Sequence, residues 1–193
     1  MRIAVERQPR YVAMLDYIGQ NRSCARVAAE SLCETVRRHV RRAAAGRHAT
    51  ADRLGAMPTN HLSRGARLTT ASEEGGRAVV TVPIPGIGRA FGPMTVRPRN
   101  AKALTLPVNA VAYGKRAPEL AARGWDLFTL PSRQGPGAGI LFGRKAGEAR
   151  TVALYLLRNS ATLPQDRGLM PSDDEMGEAI AYGVRTELER LRR

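Results

Sequence analysis

What this chain lacks narrows its chemistry before any motif is read. It has two cysteines, Cys24 and Cys33, too few for a disulfide framework, and they are read as reduced thiols. No stretch approaches the ~18 consecutive apolar residues that span a bilayer. The first seven residues, Met1 to Arg7, mix an acid with several bases and have no apolar core of the kind a signal peptide carries. Synthesis in the cytoplasm is therefore expected, with no membrane partner. Aromatic residues make up only 5%, and no recognisable nucleic-acid module is present to supply base stacking. Lysine is scarce too, with Lys102, Lys115 and Lys145 the only three among 31 basic residues.

Catalytic patterns are also missing. A Gly-x-Ser-x-Gly elbow is absent, and His61 near Ser63 reads as a polar pairing on a helix surface. The stretch Gly86 to Gly92 superficially follows a dinucleotide fingerprint, yet prolines precede it and no helical pattern follows to receive a pyrophosphate. Cys24 and Cys33, nine residues apart on one helix, point to opposite sides, and Cys33 and His39 are ~240° out of phase. His48 and His61 flank a loop without a carboxylate cluster, so four converging zinc ligands are not expected. No catalytic residue, cofactor, cofactor-binding residue or metal ligand is assigned, and the chain reads as non-enzymatic. A nuclease or hydrolase would have only His48, His61 and Asp52 to draw on.

What is present is positive charge and surface. Net charge is +14, which repels like copies unless polyanions or acidic surfaces are nearby. Most of the cations are arginine, whose planar fork binds carboxylate as well as phosphate. From Cys24 to about Ala45 the spacing is helical: Ala25, Ala29, Leu32, Val36, Val40 and Ala43 share one face. Arg26, Glu30, Glu34, Arg37, Arg38 and Arg41 lie opposite, with Ser23 as N-cap and Gly46 as C-cap. The arginines near its end, Arg42 included, are either a solvated face or a stripe for a polyanion.

Ahead of that helix, residues 1–22 read as an extended arm with a small apolar cluster from Tyr11 to Ile18. After it, 46–58 reads as loop and Thr59–Arg67 as a short helix. A hairpin follows, with strands Arg67–Ala71 and Arg77–Val82 around Glu73-Glu74-Gly75-Gly76. Pro83 to Gly86 ends the second strand, because proline cannot donate to the ladder. Further on come a short helix at Pro118–Ala122, a strand at Trp125–Leu130 and a closing hairpin from Ile140–Arg144 and Thr151–Leu163. Ser172 with Glu175 forms a capping box for a terminal helix, and Met176, Ala179, Ile180, Val184, Leu188 and Leu191 line one side of it. Gly177 and Gly183 weaken this helix, each by roughly 1 kcal/mol relative to Ala, so it must rest on packing. The expected architecture is α+β. A small antiparallel β-sandwich or barrel-like sheet carries both helices, in a single domain over 23–193 with extended loops at about 83–100 and 131–139.

The most informative stretch is Gly92 to Pro107. Two short β-prone runs, Met94–Val96 and Leu104–Leu106, bracket Arg97, Arg99 and Lys102. They are expected to pair with each other and present a charged tip. The segment resembles the "G-x-(I/V)-R-P-(K/R)-x-A-K-x-L-T-(I/L)-P" of virion-morphogenesis and tail-completion proteins of tailed bacteriophages. Further likenesses follow in order: Arg47-His48-x-Thr50-Ala51-x-x-Leu54-Gly55, Pro58 to His61, Ala112-Tyr113-Gly114-Lys115-Arg116-Ala117, and Tyr155-Leu156-Leu157-x-x-Ser160-x-Thr162-Leu163-Pro164. Coverage runs over about residues 24–190. One departure stands out: many relatives read "P-A-R-P-F-L" before the last helix, where this chain has Pro164 to Leu169 as Pro-Gln-Asp-Arg-Gly-Leu.

The resemblance implies a non-enzymatic subunit at the head–tail junction of a virion. Such proteins assemble with copies of themselves into rings, usually hexameric, between the portal and adaptor stack and the tail tube. The implied partners are those adjacent connector and tail tube proteins, with non-specific contact to phage DNA in the lumen. Interface or DNA-facing positions on this reading are Arg37, Arg38, Arg41, Arg42, Arg97, Arg99, Lys102, Lys115 and Arg116. The other reading is a basic nucleic-acid-binding protein.

Overall fold

A computed structural model describes residues 2–3, 22–131 and 138–193. Of the arm expected over 1–22, all but Arg2, Ile3 and Arg22 lies outside these residues, as does most of the loop tip at 131–139. The fold is α+β, with a long helix in the N-terminal half and a second at the C-terminus. Where one domain is expected from residue 23 onward, the chain divides into two compact units. One comprises 1–47, 60–92 and 165–193, and the other 48–59 and 93–164. No helix among the described residues is long and apolar enough to cross a membrane.

The first unit is built around α1, Arg22–Ala44. Ser23, expected as its N-cap, lies inside the helix by one residue. The buried set is wider than one stripe: Cys24, Ala25, Ala28, Ala29, Leu32, Cys33, Val36, Val40 and Ala44. Ala43, expected in that stripe, is half-buried, and Ala44 takes its place. Cys24 and Cys33 do point to opposite sides, and both sides are covered. Partners surround the helix. The terminal helix packs along it, and a three-stranded sheet and a short helix, α3 (His61–Arg67), take further faces. The sheet has the order β1 (Arg2–Ile3), β3 (Arg77–Thr81), β2 (Thr70–Glu74), all antiparallel. Glu74 pairs with Arg77, so the turn is Gly75-Gly76 alone, at φ 61 and 78, a conformation open to glycine at no steric cost. That turn pulls the first strand three residues later than Arg67–Ala71, because α3 continues through Arg67.

After β3 the prolines end the ladder as expected, and the chain makes one turn of 3-10 helix, Ile87–Ala90. A second such turn, Arg167–Leu169, leads into the terminal helix. This helix, α5, runs over Asp173–Leu191. Its capping box is complete: Ser172 Oγ accepts from the Glu175 amide at 3.2 Å and Glu175 Oε2 accepts from the Ser172 amide at 2.9 Å. Met176, Ala179, Ile180 and Val184 are buried, while Leu188 is only partly covered and Leu191 is exposed. Gly183 is what lets α5 lie so close to α1. A Cβ there would stand 2.9 Å from the Val27 carbonyl oxygen and 3.0 Å from Ser31 Cβ. Ser31 Oγ donates to the Ala179 carbonyl at 2.6 Å across the same seam. The propensity cost of glycine is thus offset by helix contact.

The second unit begins with α2, Ala49–Leu54, where loop is expected. Gly55 stops it in the left-handed region, with Ala56 N–H reaching back to the Ala51 carbonyl at 2.9 Å. A four-stranded antiparallel sheet carries this unit: β5 (Leu104–Pro107), β8 (Thr151–Arg158), β7 (Gly139–Lys145), β6 (Trp125–Pro131). A short helix α4 (Ala117–Ala121) precedes β6. Ala112 and Leu120 pack with Leu141, Leu154 and Tyr155 into a small core, flanked by Val111, Ala117, Trp125, Leu127, Val152 and Leu157. Tyr155 is secured at its polar end by donating to the Lys115 carbonyl at 2.9 Å.

A two-stranded ribbon completes the unit: β4 (Met94–Val96) pairs with β9 (Ala161–Leu163). Here the structure departs from the sequence reading. Met94–Val96 and Leu104–Leu106 do not pair with each other; the first takes β9 and the second takes β8. The expected strand Thr151–Leu163 breaks at Asn159-Ser160 into β8 and β9, which lie in different sheets. The reason is length. Seven residues with a proline separate the two β runs, more than the two to five that close a hairpin. The long C-terminal segment supplies edges for both instead.

Candidate interaction surfaces

Pairing sets the shape of the basic stretch. Val96 opposes Ala161 and Leu104 opposes Arg158. Between those two ladder positions lie residues 97–103 on one side and only Asn159 and Ser160 on the other. Seven residues cannot follow a path two residues long, so the excess is pushed outward as a blister. Pro98, without an N–H, removes one ladder donor from that segment. Arg97, Arg99 and Lys102 ride on this blister, all exposed, and none has an ion-pair partner among the described residues. They are displayed on the flank of a ribbon in place of a hairpin tip.

The other candidate cations divide into working and free groups. Arg37 is half-buried and spent on the backbone: its Nε donates to the Thr69 carbonyl at 3.1 Å, and Nη2 donates to the same oxygen. Thr69 is fully buried at the end of α3, and its carbonyl also accepts from the Cys33 thiol at 3.7 Å. Lys115 is likewise half-buried, with Nζ donating to the Val111 carbonyl at 2.9 Å. Arg116 is exposed and sits 4.0 Å from Glu119 on the next turn. Arg38, Arg41 and Arg42 are exposed on the outer side of α1, within one ~100° arc. The nine positions therefore fall into two separate sets, one on α1 in the helical unit and one around the blister and Lys115 in the sheet unit.

The segment that departs from the phage-like pattern has its own task. Asp166 accepts from both guanidinium nitrogens of Arg47, the Nη2 contact at 3.0 Å, and from Arg89 Nη2 at 3.1 Å. The Asp166 amide donates to the Arg89 carbonyl at 2.8 Å, and Gln165 Nε2 donates to the Ala90 carbonyl at 3.3 Å. All of these residues belong to the helical unit, and each lies within three residues of a point where the chain passes to the other. A single carboxylate thus gathers three of those passages. A lone acid in a motif with no catalytic partner gave no signal of this.

The groups weighed for chemistry do not all belong to one unit. His48 and Asp52 belong to the sheet unit and His61 to the helical unit. Burial, with Arg89 and Arg64 nearby, lowers the His61 pKa below the ordinary histidine value. Burial pushes both thiols up, Cys24 and Cys33 alike. Among the described residues no group of three or more His, Cys, Asp or Glu side chains could hold a metal ion.

One surface escaped the sequence reading. On the four-stranded sheet, residues directly opposite one another share a face. Leu106 opposes Leu156, Leu156 opposes Ile140, and Ile140 opposes Leu130, giving an aliphatic row across all four strands. Beside it Phe128 opposes Phe142, their rings stacked with centroids 6.0 Å apart. Leu130 is 55% exposed, Phe128 39%, Leu106 37% and Ile140 36%. The small core of this unit lies on the other face, with Leu141, Val152 and Tyr155. The available signal was the run Leu154-Tyr155-Leu156-Leu157, apolar without alternation, as in a strand covered on both faces. No protein-family model, curated protein or solved structure matches this chain.

Proposed function

We propose that this chain is a structural subunit of a tailed-phage virion, a head–tail connector or tail-completion protein that joins the DNA-filled head to the tail as a ring. The observation that carries the reading is the blister at 97–103. Three unpaired cations stand on a loop that the ladder on either side holds in place, at the segment whose sequence most resembles that family. A rigid frame with a charged protrusion suits docking against an acidic rim on a neighbouring ring, where charge complementarity sets register and partner choice. In this reading the partners are further copies of the chain, the flanking connector and tail tube proteins, and DNA passing through the lumen. Particles produced without the chain, viewed by negative-stain microscopy, are expected to be tailless heads or unjoined tails. Normal infectious particles would remove the proposal.

A second reading, non-specific nucleic-acid binding, draws on Arg38, Arg41 and Arg42, exposed together on α1. Each neutralised phosphate releases counterions, so duplex binding should weaken steeply with salt. Removal of these three arginines should flatten that slope by about three units if each meets a phosphate. Weak binding of free duplex at ~0.15 M salt would count against this reading.

A further inference from the structure

We infer that the open face of the four-stranded sheet is a contact surface for the same face of a second copy. The occupant must be apolar, because the face offers an incoming partner little else. Its centre is Leu106, Leu156, Ile140 and Leu130 with Phe128 and Phe142, and Leu104 and Val108 extend it along β5. Charge enters only at the ends of the strands. Arg144 and Asp126 neutralise each other there at 3.3 Å, and Arg158 faces Leu104. An acidic protein or a nucleic-acid backbone would find no row of cations to meet. A second copy brings an identical apolar row.

Area and charge both favour that occupant. The exposed fractions of these side chains correspond to roughly 500 Å² per copy, so a pair would cover about 1,000 Å², the lower bound for a specific interface. A contiguous patch of that size is at the upper end of what a monomer leaves open. With a net charge of +14, two copies repel across most of their surface, and a neutral patch is where they can approach. Sheets that meet face to face interdigitate their side chains at ~10 Å, which would complete a sandwich between copies. Such a contact uses the same patch twice and closes after two copies. It goes beyond the connector reading, since ring closure needs unlike patches, and it stands or falls separately.

The test is the assembly state of the full chain by sedimentation velocity at 0.1 and 0.5 M NaCl. Pairs, or assemblies with an even number of copies, are expected, and they should strengthen with salt as the repulsion is screened. The double variant Leu130→Ser with Ile140→Thr should weaken pairing at least ten-fold with unchanged circular dichroism and Trp125 emission. Trp125 packs on the opposite face, so it reports folding independently of the contact. Ile140→Cys, near the middle of the row, should cross-link to its own copy under mild oxidation, since Cys24 and Cys33 are buried. A monomer in both salts, pairs unaffected by the double variant, or pairs that dissolve as salt rises would each overturn the inference.

Discussion

The two units solve the problem of covering apolar surface in different ways. In the helical unit a 23-residue helix is enclosed by a second helix, a sheet and a short helix, so that cysteines on opposite sides are both buried. Small residues make this possible: Ala25, Ala28, Ala29 and Gly183 let backbones approach closely enough to exclude solvent without large side chains. In the sheet unit, one face of the sheet holds a modest core and the other leaves leucine, isoleucine and phenylalanine in contact with water. The first unit encloses its long helix and leaves Leu68, Phe91, Tyr182 and Leu191 exposed elsewhere. The second sets exposed apolar side chains in one row across a sheet, and both the proposed docking blister and the proposed contact face belong to it.

The comparison can be broken by perturbing each unit separately. Leu32→Ala should have the largest effect, because Leu32 is fully buried in α1 and a cavity there costs roughly 2–5 kcal/mol. Urea unfolding followed by far-ultraviolet dichroism is expected to shift to a lower midpoint. Trp125 is the single tryptophan and lies in the sheet unit, so its emission should shift less. Coincident shifts would show one cooperative transition and erase the distinction. Gly183→Ala comes next. Propensity favours alanine by about 1 kcal/mol, yet the new Cβ presses on the Val27 carbonyl, and overpacking costs about 1–3 kcal/mol. Net destabilisation in the same dichroism measurement is expected; a gain in stability would show that the seam can widen freely.

A smaller effect depends on pH. Glu187 is buried on α5, and two hydrogen bonds from Arg190, each 2.7 Å, hold its pKa down from 4.5 to about 2. Because the folded-state value lies below the ordinary one, this contribution is present in full above pH 4.5 and is lost as pH falls toward 2. Thermal midpoints of the wild type and Glu187→Gln should differ at neutral pH and converge across that window. A constant gap would show that the pair does not act through ionisation. Least costly of all is the combined change of Arg97, Arg99 and Lys102 to alanine. Exposed and unpaired, they should alter stability by no more than about 0.5 kcal/mol, and under the connector proposal their loss should lower incorporation into particles. A large loss of stability would mean the blister is structural.

How much of this was legible in the residues follows from how local each signal is. The terminal helix could be read to its first residue because Ser172 and Glu175 satisfy each other within one turn. The Gly-Gly turn could be read as a hairpin, but its register could not until α3 was known to run through Arg67. Partners of β4 and β5 were not legible, since they lie more than 45 residues away and nothing near residue 100 specifies them. Helical phase alone groups Arg37 with the outward arginines. The buried Thr69 carbonyl that draws it inward belongs to another element. Of the candidate surfaces, the charged one was visible as composition and the apolar one only after strand pairing placed four leucine and isoleucine side chains in a line.

Connectivity carries a last consequence. The chain crosses from one unit to the other after residues 47, 59, 92 and 164, so four covalent tethers run in parallel. A single protease nick at any crossing leaves both halves attached through the remaining three. A load that pulls one unit from the other divides among four backbones instead of one.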